Sequence, residues 1–415
     1  MVEAKYDQSM QEGLEQYMFN PSTLTSRMRR RYGVQHEASP ISESGLLTDR
    51  LSNRGGTFAI NGKFTSQRMT GVQRVGYELA VAFQRLLSDQ NPVAVMVPAA
   101  ASAEAYLPHQ KIVGRWVKGL FWEQVALPFA ARGHTLLSLC NVGPLFARRQ
   151  VLMIHDAAIF DLPENFSWQF RLWYRVAFFV LTRSALHILT VSAFSKSRIA
   201  ECLHLDEAQV SIVGNGVDHF DRIESDPSIL SKLDLRGDGY VLVVGNLSVG
   251  KNLPRMIDVI RRFDANTDFK FVIVGACDAR VFNARSEVDS NRIPKNCVMA
   301  GFVSDGELKA LYKNAACFVF PSLYEGFGLP PLEAMYCGCP VIVSREGALP
   351  EVCGSAAMYC DAYSIEDISN KVARMMADPV LRASHRALGF EHASRYRWEA
   401  SARTLLELLH GKVPV

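Results

Sequence analysis

The sequence predicts an α/β architecture in which two doubly wound parallel sheets follow one another along the chain and face a common cleft. Three observations lead there. Short apolar runs alternate with longer segments of helical period from residue 56 almost to the C-terminus, the pattern of open parallel sheets covered by helices. A polar stretch at 221–239 interrupts that alternation, and 415 residues exceed what one hydrophobic core organises, so two units of roughly 150 to 200 residues each are expected. In such sheets ligands bind at the loops after the strands, and here those loops hold glycines, glutamates and a lysine.

The elements follow in order. Residues 1–54 are polar, carry the basic run SRMRRRYG at 26–33, and are expected to form a loosely ordered arm. GTFAING (56–62) starts the first unit. VLMIHD (151–156), LHILTVS (186–192) and VSIVGNG (210–216) read as strands, with helices at 167–184 and 193–205. Past the linker, YVLVVGN (240–246), FKFVIVG (269–275), CVMAGFV (297–303), CFVFPS (317–322) and PVIVS (340–344) read as buried strands. DGELKALYKNAA (305–316) is one of the helices between them, and SIEDISNKVARMMAD and YRWEASARTLLELLH close the chain as helices. The expected units are 55–220 and 221–391, with the last helix, 392–413, packing back on the first. No repeat of fixed period and no low-complexity tract is present.

Composition excludes several classes. A hydrophobic content of 48% with 21% charged residues belongs to a globular protein, and a net charge of +3 provides no field for a dedicated nucleic-acid binder. The opening MVEAKYDQSMQEGLEQ mixes charge signs without an apolar core, so neither a signal peptide nor a membrane span is expected there. Nine cysteines, an odd number scattered from Cys140 to Cys360, fit a reducing cytoplasm better than a disulfide framework. Cys337 and Cys339 lack a second pair at zinc-ligand spacing and read as small residues in a tight turn, so no metal site is expected.

Two loops carry chemistry. VLVVGNLSVGKNL (241–253) has the spacing of a phosphate-binding loop, but Asn252 stands where that motif places its magnesium-holding hydroxyl. A triphosphate site would also need a second strand ending in a magnesium-binding aspartate, for which FVIVGACD (271–278) is a loose fit. PSLYEGFGLPPLE (321–333) sets Glu325 and Glu333 around a Gly-Phe-Gly-Leu-Pro-Pro turn. Pro330 or Pro331 suits the first helical position, which puts Glu333 near the first turn and Glu325 on the loop before it. Gly326 and Gly328 leave backbone amides bare beside the helix start, a place for anions and hydroxyls. One carboxylate accepts from two neighbouring hydroxyls at once, so the pair can grip two diols, such as a hexose ring and a nucleotide ribose. The same letters fit a Gly/Pro turn with one acidic residue favoured by the helix dipole and another in water.

The wider text around that cluster, FPSLYEGFG followed by PLEAMYCGCPV, closely resembles glycosyltransferase family 4 (group 1), retaining enzymes of GT-B fold. The likeness continues through GFVSDGELKALYKNAACFVFPSLYEGFGLP, GALPEVCGSAAMY, VSIVGNGVD, IHDAAIFDLPENF, WEQVALP (122–128) and TGVQRV (70–75), and covers about residues 56–410. It implies two Rossmann-like domains facing a central cleft, the first for the acceptor and the second for the nucleotide-sugar donor. It further implies that Lys251 binds the donor's diphosphate, stabilising charge on the departing nucleotide without a metal. His155 would meet the transferred sugar near its reacting carbon, orienting rather than attacking it, so His155 and Glu325 are the expected catalytic residues. Gly71, Asn246, Lys251, Val303, Gly326, Phe327, Gly328, Leu329 and Glu333 are the expected donor-binding positions, Val303 beside the nucleobase. Bland readings compete at three of these: a structural histidine at a strand end, a turn glycine at 71, and an ordinary valine at 303. One position departs from the family, which often has an arginine as second phosphate ligand where this chain has Asn246. Phosphate binding is therefore expected to lean on Lys251 and on amides near Gly71, with Arg68 and Arg74 as candidate substitutes.

The implied function is retaining transfer of a hexose from a nucleotide diphosphate sugar to a lipid-linked oligosaccharide or polysaccharide acceptor in bacterial cell-surface polysaccharide biosynthesis. Resemblance to bacterial mannosyltransferases favours GDP-mannose, with UDP-hexoses and deoxyhexose donors open, and implies no cofactor beyond that substrate. A glycoside hydrolase would need both glutamates to flank one scissile bond, and a nucleotide-binding scaffold would sit poorly with intact Glu325, Glu333, Lys251 and His155. The segment at 167–184 stacks Trp168, Phe170, Trp173, Tyr174, Phe178 and Phe179 with Arg171, Arg175 and Arg183. That mixture suits an interfacial helix against anionic lipid on the cytoplasmic face of the inner membrane, and equally a packed core.

Overall fold

The computed structural model describes residues 57–87, 93–102, 107–147, 149–245, 249–263, 267–275 and 294–412. The expected arm at 1–54 lies outside the described residues.

The first sheet is built from β1 (Thr57–Asn61), β2 (Ala94–Val97), β3 (Gln110–Ile112), β4 (His134–Ser138), β5 (Gln150–Met153), β6 (His187–Thr190) and β7 (Val210–Ile212). They are parallel throughout, in the order β3-β2-β1-β4-β5-β6-β7. The second contains β8 (Tyr240–Val244), β9 (Lys270–Val274), β10 (Cys297–Gly301), β11 (Cys317–Phe320), β12 (Val341–Ser344) and β13 (Met358–Cys360), in the order β10-β9-β8-β11-β12-β13. Both are doubly wound. Strand order reverses between β1 and β4 in one sheet and between β8 and β11 in the other, and loops leaving such switch points form the ligand crevice. The fold thus sends the segments after β1, β8 and β11, containing Gly71, Lys251 and Glu325, to the same side of their sheets.

Central strands read as continuous apolar runs because helices cover both faces. On one face of the first sheet Ile60, Val95, Leu137 and Met153 join a core with α1 (Gly71–Leu86) and the last helix. On the other face Ala59, Met96 and Leu136 pack under Trp122 and Leu127, while Leu152 and Ile188 pack under α2 (Trp168–Ser184) through Phe178 and Leu181. Ser167 caps α2 by accepting from the Phe170 amide at 3.3 Å, which fixes the helix start the sequence suggests. Helix α3 (Ala193–Leu203) follows β6, capped by Ser192.

In the second half, α4 (Leu253–Arg262), α5 (Asp305–Asn314), α6 (Leu329–Tyr336), α7 (Ile365–Ala377) and α8 (Pro379–Ala393) surround the sheet. Ser304 and Glu307 make a reciprocal capping box on α5, at 3.2 and 2.7 Å. Helix α9 (Trp398–Lys412) crosses back and lies against α1, with His410 edge-on to Phe58 at 6.4 Å between ring centroids. The two chain crossings are tied together: the Val217 amide donates to Tyr396 O at 3.0 Å and the Trp398 amide to Asp218 Oδ1 at 2.8 Å. Gly216 permits this, since a Cβ there would sit 2.3 Å from the Trp398 nitrogen.

Several elements go beyond the sequence reading. β2, β3, β4 and β13 and helix α8 were not expected, and WEQVALP proves to be a π-helical turn, Trp122–Ala126, running into a short helix, Leu127–Ala130. The polar linker contains its own helical turn, Ser228–Lys232, which buries Ile229.

Candidate active site in the cleft between the sheets

The segment after β11 carries the densest constraints. Glu325 lies on the loop, and α6 starts at Leu329 rather than at a proline, with Pro330 second and Pro331 third. Glu333 is therefore the fifth helical residue, one or two positions deeper than expected, and is 8% exposed. Gly328 is the helix N-cap at φ 93°, a left-handed conformation that suits glycine, and a Cβ there would also strike Leu349 at 2.5 Å. Because the prolines have no N–H, the amides of Gly328, Leu329 and Leu332 are the donors available at this helix start. Phe327 and Leu329 are buried; Phe327 packs edge-on against Tyr396, so its side chain serves packing. Beneath the loop, Gly347 has φ 63° and approaches so closely that a Cβ would lie 2.4 Å from Glu325 O, while the Ala348 amide donates to that same oxygen at 2.9 Å.

Lys251 reaches this loop from the neighbouring strand. It ends a 3-10 turn, Val249–Lys251, and its Nζ sits 2.5 Å from Glu325 Oε1 and 4.8 Å from the centre of the Phe320 ring. Asn252 accounts for the missing hydroxyl. Its backbone is left-handed at φ 58°, and its Nδ2 donates to Pro321 O at 3.0 Å and Ala362 O at 2.7 Å, bonds that no serine or threonine could make together. The residue after the lysine thus ties two strand ends together and leaves no place for a magnesium-binding hydroxyl. Asn246 lies outside the described residues.

The first sheet meets this loop with backbone and buried polar groups. His155, two residues beyond β5, is 6% exposed, and its Nε2 lies 2.8 Å from Leu139 O. A carbonyl only accepts, so Nε2 carries the proton and Nδ1 is the acceptor. Burial pushes the imidazole pKa down to about 4, despite that hydrogen bond, so the ring is neutral at pH 7. Gly326 approaches so closely that a Cβ would lie 2.7 Å from His155 O and from the Asp156 Cβ. Its carbonyl accepts from Ser192 Oγ at 2.6 Å and Ser195 Oγ at 2.9 Å, which makes Gly326 a contact between the halves. Glu351 accepts from the Ala193 and Phe194 amides at 2.8 and 3.1 Å, a carboxylate at the start of α3. The Asp156 carboxyl is raised above its usual range, by burial first and also by the Glu325 charge, although the Ala158 amide opposes this.

The far side of the cleft holds the remaining expected residues. Gly71 opens α1, exposed, with no atom within 4 Å of where a Cβ would stand. Arg74, one turn on, is paired with Asp305 across the cleft and lies 3.5 Å from Glu78. Burial works against its charge, but Asp305, Glu333 and Glu78 more than offset this and raise the guanidinium pKa. Arg68 lies over the Phe302 ring at 3.3 Å, beside the half-buried Val303. Glu333 faces His219, whose Nε2 lies 3.3 Å from its Oε1.

Lys251 and Glu325 are brought into contact, and His155 lies against the same loop through Gly326. Glu333 belongs to a second polar group with Arg74 and His219. The sequence reading missed Asp156, Ser192, Ser195, His219 and Glu351; three of these lie within quoted stretches, but their partners are far along the chain.

The segment 227–392 matches the family described as glycosyl transferases group 1. Over 259 residues the chain is 30% identical to O-antigen chain mannosyltransferase B of Escherichia coli, covering 60% of this chain and 67% of that protein. The chain belongs to the group 1 glycosyltransferases. It is also 32% identical over 167 residues to a GDP-mannose-dependent alpha-(1-6)-phosphatidylinositol dimannoside mannosyltransferase of Mycobacterium tuberculosis, 40% of this chain and 42% of that protein. Among solved structures, the Anabaena protein HepE, crystallised with UDP and glucose, superposes with a TM-score of 0.68 at 17% identity, covering 86% of this chain and 100% of that one. The glycosyltransferase therefore has the GT-B arrangement of two Rossmann-like domains.

Proposed function

We propose that this glycosyltransferase transfers mannose from GDP-mannose, with retention at the anomeric carbon, to a lipid-linked oligosaccharide or polysaccharide acceptor in cell-surface polysaccharide biosynthesis. The observation carrying this reading is the Lys251–Glu325 pair at 2.5 Å, set at adjoining strand ends against the loop that holds His155. The mannosyltransferase relatives and the GDP-mannose dependence named for one of them support the sugar and the nucleotide.

In this reading the donor exchanges partners with the pair. Lys251 turns to the diphosphate, where a fixed cation stabilises the charge that builds on the departing nucleotide. Glu325, released, accepts from hydroxyls of the sugar ring. His155, neutral, presents Nδ1 as an acceptor near the reacting carbon and holds the sugar in one orientation. The amides of Gly71, Gly328 and Leu329 meet phosphate oxygens, Glu333 takes the ribose hydroxyls, and Val303 borders the base. No residue forms a covalent intermediate; the leaving phosphate assists removal of the acceptor's proton on the same face. The positive charge comes from the protein, without a metal.

The acceptor's lipid anchor is met by the outer face of the first domain. Among the described residues no helix is long and apolar enough to cross a membrane. Helix α2 divides its aromatics: Phe178 is buried and Phe170, Trp173 and Tyr174 pack against the core, whereas Trp168, Leu172, Val176 and Phe179 form one exposed stripe. Phe121, Val125 and Phe129 are exposed on the neighbouring segment over the same sheet face. Arg132, Arg175 and Arg183 stand among them, Arg132 over Phe129 at 4.1 Å and Arg183 over Phe179 at 3.6 Å. Apolar rings interleaved with guanidinium groups suit the surface of an anionic bilayer on the cytoplasmic side.

The test is a binding panel of GDP, UDP and dTDP with their sugars, followed by turnover with the preferred donor. GDP and GDP-mannose are expected to bind best, and Glu325→Ala to cut transfer by about a hundredfold or more. Binding of none of the nucleotides would end the proposal; hydrolysis of an oligosaccharide without any nucleotide would favour a glycosidase instead.

A further inference from the structure

Glu333 does not hold its position unaided. Its inner oxygen, Oε1, lies 3.3 Å from His219 Nε2, and His219 is 1% exposed on the turn Asp218–Asp221 that follows β7. A buried imidazole needs partners for both nitrogens. The second partner is Trp398, whose Nε1 donates to His219 Nδ1 at 3.2 Å. An indole N–H can only donate, so Nδ1 is the acceptor and the neutral ring's proton is on Nε2, the nitrogen 3.3 Å from the carboxylate oxygen. The buried Tyr312 hydroxyl also faces this carboxylate, whose charge helps burial to raise the phenol pKa. Polar contacts of this kind are often long in an empty site and tighten when the ligand arrives.

The anchor of this ring is the double crossing between the domains. Asp218, next to His219, accepts from the Trp398 amide at 2.8 Å, Val217 is bonded to Tyr396, and Arg397 lies 3.4 Å from Asp218 Oδ2. On the next turn, Tyr336 at the end of α6 donates to Asp221 Oδ1 at 2.6 Å. The imidazole is thus tied to α6, the helix that carries Glu333.

We propose that His219 is a positioning residue: its Nε2–H holds the Glu333 carboxylate in register for the ribose hydroxyls of the donor nucleotide, and Trp398 determines which ring nitrogen carries that proton. This rests on the reading of Glu333 as the ribose carboxylate. The contact acts through Glu333 and touches no reacting atom, so its signature is discrimination between ribose and a ribose without hydroxyls.

Calorimetry with GDP and with UDP, each against its 2′,3′-dideoxy analogue, separates the two layers. Wild type is expected to prefer the hydroxylated form of the nucleotide it binds by about tenfold or more, the size of a hydrogen bond to a charged group. His219→Phe should bring that preference close to unity while changing affinity for the dideoxy form less than about twofold. His219→Gln, whose amide donates from the place of Nε2 and whose oxygen can face Trp398, should restore most of it. Trp398→Phe, which keeps the packing and removes the donor, should fall between. In turnover, His219→Phe should raise the donor KM by the same factor and leave kcat within about twofold. If wild type shows no preference, the ribose reading of Glu333 fails. If wild type discriminates and His219→Phe does so equally, or loses affinity for both forms alike, the positioning role is overturned.

Discussion

The two walls of the cleft are made by different means. The second domain offers charged side chains, Lys251 and Glu325 on loops and Glu333 on α6, held by unusual backbone: Asn252 and Gly347 are left-handed, and so is Gly328. The first domain offers mainly main chain and burial: the carbonyls of Leu139 and His155, the amides of Ala193 and Phe194, two serine hydroxyls and a histidine that is neutral because it is enclosed. A wall built on left-handed positions and charges admits few substitutes, because the backbone demands glycine or asparagine and the chemistry demands a carboxylate or an ammonium. A wall built from backbone groups can be made by many sequences. The difference explains why one half carries a dense motif and the other a dispersed one.

Predictions that break or sharpen this contrast fall in order of size. Glu325→Ala and Lys251→Ala should each reduce turnover by about a hundredfold or more, as loss of one preorganised electrostatic contact does, with unfolding midpoints near wild type. Gly347→Ala should cost about 3 kcal/mol of stability in denaturant titration, because its Cβ would meet Glu325 O at 2.4 Å and its backbone is left-handed. Gly71→Ala is the control on the opposite wall: with no atom within 4 Å, stability should stay within about 0.5 kcal/mol while binding of the diphosphate weakens.

His155 supplies the next test. Its folded pKa of about 4 lies below the ordinary imidazole value of 6.5, so the unfolded chain binds more protons between these values. Stability is then fully present above about pH 6.5 and is lost as pH falls through about 4, by roughly 2 kcal/mol between pH 7 and 4.5. Unfolding curves of His155→Asn should lack that component of the slope. A full slope in the variant would assign the effect elsewhere. Smallest is the surface effect: Trp168→Ser with Phe179→Ser should weaken sedimentation with anionic vesicles about tenfold and leave nucleotide affinity unchanged.

Legibility followed the same division. Strands β8, β9, β11 and β12 were visible as apolar runs because both faces are covered. β3 was not, as an edge strand of three residues, QKI, with two of them exposed. β4 begins with His134 and Thr135, which breaks the apolar run, and α8 is disguised by the Asp378–Pro379 pair, which reads as a turn although Asp378 caps the helix. The acidic residues and Lys251 could be read from their loops, but the start of α6 was misjudged, since Leu329 and not a proline opens it. Asn252 read only as a missing hydroxyl; its two carbonyl partners lie 69 and 110 residues away. His219 stands one residue past VSIVGNGVD and was given no role, because Trp398 is 179 residues further on. Contacts of that separation leave no periodicity in the text.

The central claim is that Lys251 is the diphosphate cation, occupied by Glu325 until a donor arrives. The affinity of GDP for Lys251→Ala and Glu325→Ala, measured side by side by calorimetry, tests it most directly. Lys251→Ala should weaken GDP binding by about tenfold or more, whereas Glu325→Ala, by freeing the ammonium, should leave it unchanged or tighten it. Equal weakening by both substitutions, or no effect of Lys251→Ala, would contradict the account.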